Sequence, residues 1–89
     1  MASIEEVRSG IALANQKASE SLGALQQAHS QLEEAQQSLP SVTRVSEGSA
    51  QADVHDANGQ LQQAVQSISE VQQLVRSAIS TAEGISQRL

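Results

Sequence analysis

Residues 4–39 read IEEVRSGIALANQKASESLGALQQAHSQLEEAQQSL, and the spacing of their apolar side chains decides the fold. Counting by seven from Ile4 meets Ile11, Ala18, Leu25, Leu32 and Leu39; counting by seven from Val7 meets Ala14, Ser21, Ala28 and Ala35. Two tracks three residues apart, each repeating every seven, share one side of an α-helix and make the a and d positions of a heptad. Further along, Val54 leads to Leu61, Ile68, Val75, Ala82 and Leu89, and Ala57 leads to Ala64, Val71, Ala78 and Ile85. Ser21 is the single polar residue among these 22 positions. The second pair of tracks stands 50 residues after the first. The chain is therefore predicted to be two helices, each roughly 54 Å long at ~1.5 Å per residue.

The helix ends follow from local chemistry. Ser3 and Glu6 form a Ser-x-x-Glu capping box, and Glu5 and Glu6 complement the positive end of the helix dipole. Pro40 lacks an N–H and disfavours helical geometry at the residue before it, so helix 1 is expected over 3–39. Residues 40–52, with Ser41, Ser46, Gly48 and Ser49, read as the connection. Asp53 is the expected N-cap of helix 2, which runs to 88 with Asp56 in its first turn and Arg88 in its last. Gly10, Gly23, Gly59 and Gly84 fall off the tracks and weaken the helices without ending them.

Composition narrows the class. The 89 residues include no aromatic side chain and no cysteine, so no thick core is expected, and a disulfide framework and thiolate chemistry are excluded. Ten acidic against five basic residues give a net charge of −5, which argues against nucleic acid as a partner, since that affinity rests on clustered Lys and Arg. The acidic N-terminus, with no apolar run of signal-peptide length after it, predicts a cytoplasmic protein; export without a cleavable signal is the alternative. No run of 18 apolar residues occurs, so no membrane partner is expected.

A narrow apolar stripe is marginal on one helix and must be buried against another. The fold expected is all-α, an antiparallel two-helix coiled-coil hairpin over residues 1–89 as a single domain. Facing residue numbers sum to about 96, which sets Leu32 against Ala64, Ala35 against Leu61, Leu39 against Ala57 and Ala28 against Ile68. Gln36 falls outside this seam, so Gln36→Asp is expected to be silent where Leu32→Asp disrupts. Leu13, Leu22, Val65, Leu74 and Ile79 are left over, and they mark the candidate partner interface. A second hairpin covering them gives a homodimeric four-helix bundle; another helical protein is the other partner considered.

Catalysis finds little to use. His29 and His55 lie at different heights of the hairpin, the paired carboxylates Glu5-Glu6 and Glu33-Glu34 point to different faces, and no triad, phosphate loop or metal-ligand spacing is read. No catalytic residue, cofactor or metal site is expected. The Gln pairs at 26–27, 36–37, 62–63 and 72–73 read as good helix formers on a wet surface.

The stretches Ile4-Glu5-Glu6-Val7-Arg8, Ile11-Ala12-Leu13-Ala14 and Ser21-Leu22-Gly23-Ala24-Leu25-Gln26-Gln27-Ala28 resemble small uncharacterised actinomycete helical-hairpin proteins, and Thr81-Ala82-Glu83-Gly84 and Arg88-Leu89 resemble their ends. Similar segments stand at the N-terminus of longer actinomycete polymorphic toxins. The resemblance implies a non-catalytic interaction module, an adaptor or trafficking component of a secretion or toxin system. In length and hairpin form the chain is distantly similar to WXG-type proteins of type VII secretion, but it has neither the Trp of their turn nor the Tyr of their export signal. A cytoplasmic self-assembling coiled coil is the alternative function. A small metal binder or enzyme built on His29 or His55 is the third.

Overall fold

In the computed structural model, which describes residues 3–40 and 49–89, the protein is two long helices, α1 over Ile4–Ser38 and α2 over Ser49–Arg88. No strand occurs among the described residues. Ser3 caps α1 as its spacing predicts. Its backbone is extended, and its Oγ accepts the Glu6 N–H at 3.1 Å, satisfying one of the N–H groups that a helix start leaves without a partner. At the other end the Leu39 N–H still donates to Ala35 O at 3.2 Å, and Pro40 has no N–H with which to continue the ladder.

α2 begins earlier than expected. Ser49 through Ala52 are already helical, so Asp53 and Asp56 lie one and two turns inside α2 rather than at its start. Ala and Gln propagate a helix at little cost, and nothing between Ser49 and Asp53 removes an N–H or frees the backbone. Residues 41–48 of the expected connection, including Ser41, Ser46 and Gly48, are outside the described residues. The serines that crowd the helices are accommodated by bonding back to their own backbone: Ser21 Oγ donates to Ala18 O at 2.6 Å and Ser38 Oγ to Glu34 O at 2.9 Å.

The helices pack side by side and antiparallel. Gln72 Nε2 donates to Gln26 Oε1 at 3.4 Å. Near the chain ends Ile11, Ala12 and Asn15 share a groove with Glu83 and Ser86, and at the turn end Leu39 shares one with Val54 and Asn58. Facing numbers thus sum to about 97 or 98, within two residues of the pairing read from sequence. The product is a rod of 66 × 18 × 14 Å with a radius of gyration of 20.1 Å, where a compact chain of this length would have about 12 Å.

Candidate interaction surface

Burial along each helix shows which side chains the pairing covers. In α1 the covered positions are Ile11, Asn15, Ala18, Leu22, Leu25, Ala28, His29, Leu32, Ala35, Gln36 and Leu39; in α2 they are Val54, Ala57, Asn58, Leu61, Ala64, Val65, Ile68, Gln72, Val75, Ile79, Ala82, Gly84 and Ser86. The Ile4 and Val54 tracks therefore lie in the seam, apart from Ile4 and Leu89, which are exposed at the open end. The second seam track expected from the sequence is covered only toward the turn, at Ala28, Ala35, Ala57 and Ala64. Along the rest of the pair the covered track runs one residue after the Val7 and Ala57 tracks, through Asn15, Leu22, His29 and Gln36 and through Asn58, Val65, Gln72, Ile79 and Ser86.

The expected seam and partner residues redistribute accordingly. Val7, Ala14, Val71, Ala78 and Ile85 are exposed, while Ala28, Ala35, Ala57 and Ala64, nearer the turn, are half-buried. Of the five residues assigned to a partner, Leu22, Val65 and Ile79 are half-buried in the seam, and Leu13 and Leu74 stay exposed. Gln36 is half-buried too, so it is not the inert control position that the sequence suggested.

The cause is competition between three stripes. A pair of helices covers two tracks on each, and each helix here has apolar residues on both sides of its Ile4 or Val54 track. One side offers Leu22, Val65 and Ile79, spaced among polar residues; the other offers Val7, Val71 and Ile85, spaced among alanines. The pairing covers the first three, and the amides and imidazole between them come along. None of the described hydrophobic residues is fully buried, and the one buried side chain is Gln72, at 7% exposure.

The track left out builds a surface. Two antiparallel helices are related by a pseudo-twofold axis normal to the plane that holds them, so equivalent tracks stay on the same side of the pair. The Val7 and Ala57 tracks accordingly share one face of the hairpin, exposed at Val7, Ala14, Val71, Ala78 and Ile85 and half-buried toward the turn at Ala28, Ala35, Ala57 and Ala64. Its residues are alanines with Val7, Val71 and Ile85, broken once by Ser21, and Leu74, the most exposed large apolar side chain at 70%, borders it. The opposite face is polar: the Gln26–Gln72 bond lies there, as do His29 Nδ1 and Glu33 Oε1, 2.8 Å apart.

The spacing of the two residues brings them together. Glu33 stands four residues after His29, one helical turn along the same side, which is the spacing of an i,i+4 interaction. With the imidazole protonated it is an ion pair within one helix. His55 lies along a shallow groove at the turn end beside Leu39 and Pro40, and no three His, Asp or Glu among the described residues are grouped as metal ligands. Glu5-Glu6 and Glu33-Glu34 are exposed. Among the described residues no helix is long and apolar enough to cross a membrane.

The molecule is thus an antiparallel helical hairpin with one polar face and one apolar face. No protein-family model, no curated protein and no solved structure matches the chain.

Proposed function

We propose that this protein is a non-catalytic protein–protein interaction module whose working part is the open apolar face of the hairpin. The observation that carries this reading is the absence of any fully buried hydrophobic side chain among the described residues. The chain exposes 6525 Å², against about 5,000 Å² for a compact monomer of its mass. Continuous apolar surface of this kind marks an interaction site. A rod of heptad-spaced helices offers a coiled-coil-like edge on which further helices can lie.

The wider role we propose is that of an adaptor or trafficking component in an actinomycete secretion or toxin system. It rests on the resemblance carried by residues 4–8, 11–14 and 21–28; the site of action we propose is the cytoplasm, with export without a cleavable signal as the alternative. A photo-crosslinking side chain at Val71, on the face, tests the module reading in living cells, with Ser77 on the back of α2 as the comparison site. Adducts to protein from position 71 and few from position 77 are expected. Equal yields from the two positions would refute the face as the working surface.

A further inference from the structure

We propose that the open face is covered by a second copy of this chain, inverted end to end, so that two hairpins make a four-helix bundle. This rests on the interaction reading above and names its partner. Charge placement is the leading reason. The chain carries −5, and two such chains repel unless their carboxylates stay apart. Of the nine acidic residues in the described segments, eight lie on the polar edge or the back of their helix: Glu5, Glu33 and Glu83 on the edge, and Glu6, Glu20, Glu34, Asp56 and Glu70 on the back. The two tracks that rim the open face hold Asp53 as their one acid, and they also carry Lys17 and Arg88. Two copies can therefore meet on this face without opposing their carboxylates.

Shape points the same way. The large side chains of the face, Val7, Ile85 and Val71 with Leu74 at its border, run from its open end to its middle, and toward the turn it is alanine, half-buried but with part of each side chain still open: Ala28, Ala35, Ala57 and Ala64. Inverting one copy about Ser21 sets Val7 over Ala35 of the other, large against small, and Ile85 over the stretch between Ala64 and Val71, in a closed isologous contact. Ser21, the one polar residue of the face, then falls beside its own equivalent at the twofold axis, where two hydroxyls can bond to each other. The 66 × 18 Å outline bounds the face at about 1,200 Å² per copy. Two copies bury up to about 2,400 Å² together, enough for a stable interface, which takes roughly 1,200–2,000 Å².

The test is the mass of the full chain by light scattering coupled to size exclusion, over a range of concentrations. The expected result is twice the 9.4 kDa chain mass. Ala78→Glu, on the exposed part of the face and outside the seam, should return the chain mass with helical circular dichroism retained, while Ser77→Glu on the back leaves the dimer intact. Because the chain has no cysteine, Ser21→Cys gives a second readout that does not depend on a disruptive variant: on oxidation it should close a disulfide dimer, and Ser30→Cys should not. A wild-type chain that stays at single mass throughout, or a dimer that Ala78→Glu leaves unchanged, overturns the inference. With a single-mass chain, adducts to a different protein from position 71 would leave the interaction reading standing. No adducts would remove both.

Discussion

Gln72→Leu is expected to stabilise the protein. Gln72 is the most buried side chain of the described residues, at 7% exposure, and its amide donates one long bond of 3.4 Å to Gln26 Oε1. A bond of that length is weaker than the 2.7–3.2 Å norm and contributes no more than about 0.5–1 kcal/mol. Gln26 is exposed, so its amide turns to water when the partner is removed. Burying a leucine at this position contributes about 1.5–3 kcal/mol, and the cost of desolvating the glutamine amide disappears. The difference is a gain of about 1–2 kcal/mol. For a chain of this size that raises Tm by roughly 5–15 °C. Melting followed by far-ultraviolet circular dichroism reads it, with urea unfolding as a check: the midpoint should rise at constant m. Gln73→Leu, one residue on and exposed, should change little. A Gln72→Leu protein that melts at or below the wild-type temperature would refute the placement of Gln72 in the seam.

Leu32→Asp places a charge without a partner in the seam and should abolish most helical signal; Gln37→Asp, on an exposed position, should melt as wild type, and Gln36→Asp, half-buried, should fall between them in the same assay. Gly23→Ala should raise stability by about 0.5–1 kcal/mol in urea unfolding, since a Cβ there meets nothing within 4 Å and alanine loses less backbone freedom on folding. Ser3→Ala removes the acceptor of the Glu6 N–H and should cost about 1 kcal/mol, seen as faster amide exchange in the first turn of α1 with the rest of the helix unchanged.

The period of the apolar residues alone fixes much of this molecule. A repeat of seven over residues 4–39 and again over 54–89 requires two helices with one-sided apolar stripes, Pro40 must end the first, and Ser3 can cap it through its own hydroxyl, because each of these effects acts within one or two turns of backbone. The antiparallel pairing was also within reach, to within two residues of register, because a short connection between two stripes leaves few other ways to bury them. Two things were not legible. Asp53 carries the chemistry of a cap, but a cap forms only if the residues before it leave the helix, and Ser49–Ala52 stay in it. More consequentially, each helix has apolar residues on both sides of its Ile4 or Val54 track, and the heptad count does not say which side turns inward. That depends on what stands opposite. Against a single partner helix Leu22, Val65 and Ile79 turn inward, Asn15, His29, Gln36 and Gln72 enter the seam with them, and of the track that looked like the hairpin's own interior Val7, Ala14, Val71, Ala78 and Ile85 are left on its outer face.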